Sequence, residues 1–361
     1  MYVRPKKALG QHFLKDEEIA RRIVNSLNIP ENLPNKTEDL LNKTEDFPNK
    51  TEDLPNKKEN LPNESEDLPN DTENLPNDTD DVLNNKEYDS SGQRNFIDNN
   101  ESLNGVENSL NKADESSDIQ ARVNVIEVGP GTGVLTRYLI SDKRINLKLA
   151  EIDPESVEYL HSAYPELGEA LLFQDFLKTD LSSLFDGEFM VIGNFPYNIS
   201  SQIFFKILDY KESVYGIVGM LQKEVAERLA SPPGNKSYGI LSVLLQAWYD
   251  IEYLFTVHEN SFIPPPKVKS GVIRLKRNDR GALGCDEKLF KQVVKTTFNQ
   301  RRKTIRNSLK PLLCTVVSSS KEAASADLSR YSYLLDKRPE QLSVEEFVLL
   351  TLYVEALMRR S

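Results

Sequence analysis

The chain has 361 residues, a net charge of −11 and only two cysteines, a length that allows two ordinary domains or one large one. Cys285 and Cys314 stand in no CxxC or CxxH pair, so a disulfide scaffold and a metal site are not expected. No stretch reaches about 18 apolar residues and the start, MYVRPKKALGQHFL, lacks the apolar core of a signal peptide, so no membrane contact is expected and the cytoplasm is the expected setting.

The first element is a basic arm with Arg4, Lys6 and Lys7, followed over 16–27 by an amphipathic helix pattern (Ile19, Ile23, Val24, Leu27). Residues 1–30 are read as the arm and first helix of the main domain. Residues 33–88 then repeat with a period of seven, in units such as LPNKTED, LPNESED and LPNDTEN. A coiled coil is excluded, because most copies place Pro after Leu and one apolar residue per heptad cannot make a seam. Residues 31–120 hold 24 acidic and 8 basic residues, a net of −16, and only 18 of the 90 are apolar. Such a segment cannot bury enough surface to offset its ordering entropy, so a disordered acidic insertion is expected. The other 271 residues, with 32 acids and 37 bases, carry +5, so the acidity belongs to the insertion alone.

After the insertion, strand and helix signals alternate. Apolar runs at 123–128, 146–151, 170–174, 188–192 and 214–221 are separated by helical stretches near 134–141, 154–163 and 200–209. This predicts a parallel sheet covered on both faces, the α/β class. Two further strands are expected near 251–257 and 271–275. The core domain is placed at 121–277. Beyond it, 278–361 reads as a small all-helical domain, with helices over 286–309, around 320–336 and over 343–358. Ser343 and Glu346 stand at capping-box spacing.

The chemistry sits at the strand ends. VIEVGPGTG runs from a strand into glycines at 129, 131 and 133. The dinucleotide fingerprint would put the third at 134, which is Val134. The GxGxG spacing is the form of an S-adenosylmethionine site. Glu151 ends the second strand, where an acid can bond ribose hydroxyls. Asp175 ends the third, placed for an adenine amino group, and Asn194 ends the fourth. Four successive strand ends converge on the rim where open α/β sheets bind ligands. GNFPYNIS, residues 193–200, is then the acceptor pocket. Asn194 and a backbone carbonyl beside Pro196 can bond an amino group, and Tyr197 can stack a base for about 1–3 kcal/mol. Phe262, held by Pro264–Pro266, is expected to cover the other face of that base. No general base is required, because the nitrogen loses its proton after it becomes positively charged. Arg301, Arg302, Lys303 and Arg306 lie on a predicted helix whose run 298–310 lacks any acid, which favours RNA phosphate contact.

KKALGQHFL, VIEVGPGTG, EIDP, GNFPYNIS, MLQKEVAERL, SYGILSVLLQ, FIPPPKVKSGVIRL and FNQRRKTIRNSL together resemble the ribosomal RNA adenine dimethyltransferase family, and most closely its small-subunit branch. The resemblance covers nearly everything outside 31–120. It implies a Rossmann-like methyltransferase, S-adenosylmethionine as methyl donor, and dimethylation of N6 on two adjacent adenosines. These lie in the 3′-terminal hairpin of 16S rRNA, in the immature small subunit. A monomer is expected. His12 and Leu14 of GQHFL are implied to touch the cofactor, with Gly129, Gly131, Gly133, Glu151, Asp175 and Asn194. Position 12 is commonly Asn in the family and position 195 commonly Leu. The insertion is the larger departure. The alternatives are the large-subunit, macrolide-resistance branch, a non-catalytic nucleic-acid-binding relative, and a DNA or protein N-methyltransferase.

Overall fold

The computed structural model describes residues 3–30, 122–316 and 331–359. The heptad repeats, and most of the stretch expected to be helical around 320–336, lie outside the described residues.

Seven strands form one sheet: β2 (Val123–Val128), β3 (Ile145–Glu151), β4 (Leu171–Phe173), β5 (Phe189–Asn194), β6 (Val214–Gln222), β7 (Tyr249–Val257) and β9 (Ser270–Arg277). Their order is β4-β3-β2-β5-β6-β9-β7. The first five run parallel, and β9 pairs antiparallel with both β6 and β7. The strands alternate as a two-sided sheet requires. Ile126, Val191 and Ile217 enter one apolar cluster, whereas Val125, Ile192 and Val218 enter another on the opposite face.

The second face is covered by α1 (Glu17–Asn25), which places Ala20, Ile23 and Val24 in the cluster, and by Leu139 of α2 (Thr136–Ser141). Asp16 caps α1 by accepting from the Ile19 N–H. At the β3–β4 edge, α3 (Pro154–Ala163) buries Leu160 against Leu149 and Leu171. The first face carries α4 (Ser200–Asp209), α5 (Lys223–Leu229) and α6 (Ile240–Gln246). Beyond Arg277 the described residues form helices: α7 (Glu287–Asn299), α8 (Ile305–Ser308), α9 (Lys310–Val316), α10 (Ser332–Leu335) and α11 (Val344–Met358). These helices share one continuous apolar cluster with the sheet. Trp248 meets Phe290 edge-on at 6.1 Å, and Phe298 stacks on Phe347 at 5.9 Å. The expected capping box is present, with Ser343 and Glu346 bonding each other's backbone N–H.

The single helix expected over 286–309 is instead two. α7 ends at Asn299, Gln300 leaves helical geometry at φ −120°, ψ 43°, and α8 restarts after an extended Thr304. The cause is long-range. The Ile305 N–H donates to the Lys337 carbonyl, and Ile305 and Leu309 are fully buried. The basic residues 301–303 therefore sit on a turn rather than along a helix face. Among the described residues no helix is long and apolar enough to cross a membrane.

Candidate active site

The strand order reverses beside β2, between β3 and β5, and a crevice opens there at the carboxyl ends of the strands. It holds a cavity of about 200 Å³ lined by residues of the four strand ends expected to form the site, Gly129, Gly131, Glu151, Asp175 and Asn194, and by Tyr197. One space therefore runs from the glycine turn to the GNFPYNIS loop.

At the glycine end, Gly129 and Gly131 both adopt left-handed φ, +66° and +58°. A Cβ on Gly129 would meet nothing within 4 Å, and one on Gly131 would press on the Phe13 ring at 2.8 Å. The turn thus keeps backbone open to the cavity. Glu151 is 4% exposed. Its Oε2 accepts from the Gly131 N–H, and its Oε1 from the N–H groups of Ile152 and Asp153. Burial raises its pKa, and these backbone bonds work against the rise. The Asp175 carboxylate accepts from the Leu177 N–H. A buried carboxylate, a second acid and an open glycine turn fit a ligand with ribose hydroxyls and a positive charge, as S-adenosylmethionine has.

Behind the turn, Glu127 on β2 is buried and accepts from the Thr136 hydroxyl at 2.7 Å. Burial pushes its pKa up to about 8, with Glu151 adding to the rise and Thr136 opposing it. An unfolded chain would titrate this carboxyl near 4.5, so between pH 4.5 and about 8 the folded protein keeps a proton that the unfolded chain has lost. Stability therefore falls as pH rises through that window. Glu127→Gln is expected to flatten the decline, which urea unfolding at pH 5, 6.5 and 8 measures.

At the other end, the Asn194 Nδ2 donates to the His12 carbonyl at 2.9 Å. A carbonyl only accepts, so the nitrogen must lie on that side and Oδ1 is left for another donor. The Tyr197 hydroxyl bonds the Ser270 hydroxyl at 2.6 Å, and Ser270 is fully buried. Phe195 sits in a socket cut from two glycines: a Cβ on Gly219 would lie 2.5 Å from its ring, and one on Gly193 2.9 Å. Its ring meets Phe204 edge-on at 5.8 Å. That packing anchors the loop from below, and Pro196 stiffens it from within.

Three residues expected at the site lie elsewhere. Phe262 is 1% exposed and belongs to the second core cluster, because its short strand β8 (Phe262–Ile263) pairs with β1 (Phe13–Leu14) and turns the ring inward. It does not line the cavity. Leu14, paired opposite it, is buried in the same cluster. Gly133 faces α3, where a Cβ would lie 2.7 Å from Tyr164 and 3.0 Å from Leu160, so it serves helix packing.

The basic residues divide. Lys6 bonds the Asp153 carboxylate and lies 3.2 Å from Glu155, so it ties down the arm instead of projecting toward RNA. Burial alone would raise the pKa of Asp153, but Lys6, Gln11 and Ser156 outweigh it and hold the pKa below the usual value. Arg301 donates to the Lys236 carbonyl, and Arg306 pairs with Asp336 at 3.1 Å. Arg4, Lys7, Arg302 and Lys303 are exposed.

Residues 8–13 form one wall of the cavity: the resemblance implied His12 there, and Ala8–Gln11 and Phe13 join it. The arm is pinned by Lys6, by Gln11 donating to Asp153, by the β1–β8 pair, and by a close approach of Gly10 to Asn198. Gly10, with φ +64°, was the available signal.

A family model described as ribosomal RNA adenine dimethylase matches residues 84–341. A relative from Parabacteroides distasonis named ribosomal RNA small subunit methyltransferase A is 46% identical over 351 residues, covering 97% of this chain and 94% of that one. A relative of the same name from Bacteroides thetaiotaomicron is 59% identical over 236 residues, 65% of this chain and 84% of its own. A crystal structure of a dimethyladenosine transferase from Plasmodium falciparum is similar in fold, with a TM-score of 0.55 at 23% identity, covering 65% of this chain and 92% of that one. The fold, the strand-end cavity and the match over most of the chain agree: the chain belongs to the ribosomal RNA adenine dimethylase family.

Proposed function

We propose that this protein dimethylates N6 of two adjacent adenosines in the 3′-terminal hairpin of 16S rRNA, on an immature small subunit in the cytoplasm, acting as a monomer. The observation that carries this reading is the single cavity joining the glycine turn to Asn194 and Tyr197. The small-subunit methyltransferases among its relatives favour the small-subunit substrate over the large-subunit one.

S-adenosylmethionine, when bound, supplies a methyl group on a positively charged sulfur. Gly129 and Gly131 would give it room, Glu151 would accept from its ribose, and Asp175 from its adenine amino group. The target adenine stacks on Tyr197. Its N6 is a poor nucleophile because its lone pair is delocalised into the ring. Asn194 Oδ1 and the Phe195 carbonyl accept the two amino hydrogens, which draws the lone pair out of conjugation and aims it at the methyl. The nitrogen then sheds a proton to water. Arg4, Lys7, Arg302 and Lys303 are placed to meet RNA phosphates. Incubation with labelled S-adenosylmethionine and unmethylated small subunits, followed by mass spectrometry of the digested 16S rRNA, tests the reading. Dimethyladenosine at two neighbouring positions is expected; label confined to protein, or no label in the 16S rRNA, would refute it.

We also read 31–120 as a tether that methylation does not need. The Arg144 guanidinium donates to the carbonyls of Ile29 and Pro30, and its own carbonyl accepts from the Val123 N–H at 2.8 Å. The two flanks therefore meet at one residue, and a short linker can join them at little closure cost. Replacing 31–120 by a short Gly/Ser linker is expected to leave the initial rate of methylation unchanged within the error of the assay.

A further inference from the structure

The loop that joins β8 to β9 borders the mouth of the cavity, because both its ends are bonded to residues of the cavity wall. The Pro264 carbonyl accepts from the His12 ring at 2.8 Å, and the Ser270 hydroxyl bonds the Tyr197 hydroxyl at 2.6 Å. Two large apolar side chains stand out from this loop: Ile263 is 47% exposed and Val268 45%. We propose that Ile263 and Val268 form a wedge that enters the base stack of the RNA beside the flipped adenosine, with Lys267 and Lys269 on the flanking phosphates. The inference rests on the adenine-methyltransferase reading above and concerns nucleotides that stay outside the cavity.

The exposure of these side chains is built into the fold. The β1–β8 pair turns Phe262 into the second core cluster, so its neighbour Ile263 faces outward. Pro264, Pro265 and Pro266 then fix the backbone. At the far end the Lys223 N–H holds the Lys269 carbonyl at 2.9 Å. A loop stiffened and tied in this way loses little freedom when a partner closes on it.

The chemistry of the loop selects the partner. The run 260–277 contains no acid. Its arginines are engaged, Arg274 with Glu252 and Arg277 with Glu188. Lys267 and Lys269 are exposed on either side of Val268. Exposed Lys15 reaches the same edge, since its N–H donates to the Ser261 carbonyl at 2.9 Å. Apolar side chains set between lysines match a polymer with an anionic backbone and flat base faces. An adenine can enter the cavity only by leaving its stack, which costs stacking energy. An apolar side chain placed at the opened step lowers that cost by covering the exposed base faces.

The test uses the full chain, S-adenosylmethionine and unmethylated small subunits. Replacing both apolar residues by serine (Ile263→Ser with Val268→Ser) should lower kcat/KM for the subunit at least about tenfold, the effect of losing one buried aliphatic contact. Ile263→Leu with Val268→Leu should keep most of the activity. Calorimetry without RNA should give all variants the same Kd for S-adenosylmethionine, which also reports that each is folded. Lys267→Ala and Lys269→Ala should each flatten the dependence of log affinity for the subunit on log salt by about one unit. The apolar variants should leave that slope unchanged. A photoreactive phenylalanine analogue in place of Ile263 should crosslink to 16S rRNA within about two nucleotides of the methylated pair, the reach expected of a side chain inserted at a neighbouring step. Crosslinks to a ribosomal protein or to a distant rRNA segment would overturn the proposal. So would equal losses in the serine and leucine variants, or no loss in the serine variant. Failure of the unaltered protein to methylate the subunit would instead count against the proposed function.

Discussion

Asn194→Ala is expected to reduce methyl transfer by about 10²- to 10³-fold, the usual cost of removing one oriented hydrogen-bonding group from a reacting centre. The substitution removes Oδ1, the acceptor that draws the adenine lone pair out of the ring. It also removes Nδ2, which holds the His12 carbonyl. Neither atom bonds the glycine turn, so the Kd for S-adenosylmethionine should stay within about threefold, less than the loss of one net hydrogen bond would cause. Single-turnover transfer and calorimetry separate the two effects. Equal losses in both would make Asn194 a support for the cofactor and not a participant in transfer.

Glu151→Ala is expected to act at the opposite end. It removes the acceptor proposed for the ribose and strands the N–H groups of Gly131, Ile152 and Asp153. A hydrogen bond to a charged group contributes about 1.5–3 kcal/mol, so cofactor affinity should fall at least about tenfold. The unpaired donors also loosen the turn, because Gly131 is held from one side by this carboxylate. Glu151→Gln should be intermediate: its oxygen still serves one pair of donors, but its NH₂ then faces an N–H. Calorimetric titration with S-adenosylmethionine measures both. An unchanged Kd in Glu151→Ala would remove this residue from the site.

The parallel sheet and its rim were readable because their signals are local. Continuous apolar runs ending in Gly129, Glu151, Asp175 and Asn194 mark strand ends whatever the rest of the chain does, and parallel pairing brings those ends together. Helices at 154–163 and 200–209 coincide with α3 and α4 for the same reason. What was missed depends on contacts distant in sequence. Nothing in QRRKT marks a helix break; the Lys337 carbonyl imposes it. Phe262 and Leu14 carry no sign that they pair with each other and turn into the core. Lys6 looks like its basic neighbours until Asp153, 147 residues away, claims it. The third glycine resembles the first two, yet the Tyr164 and Leu160 side chains decide its use. α5 and α6 are only seven residues each, too short for their periodicity to stand out.

A cavity that holds both proposed binding ends separates this account from one in which it serves the cofactor alone. A crystal structure with a non-reactive S-adenosylmethionine analogue and adenosine monophosphate tests it most directly. The account predicts the analogue against Gly129, Gly131 and Glu151, and the adenine on the Tyr197 ring with N6 bonded to Asn194 Oδ1 and pointing at the analogue. An adenine bound outside the cavity, or one inside it with N6 turned away from the glycine turn, would contradict the account.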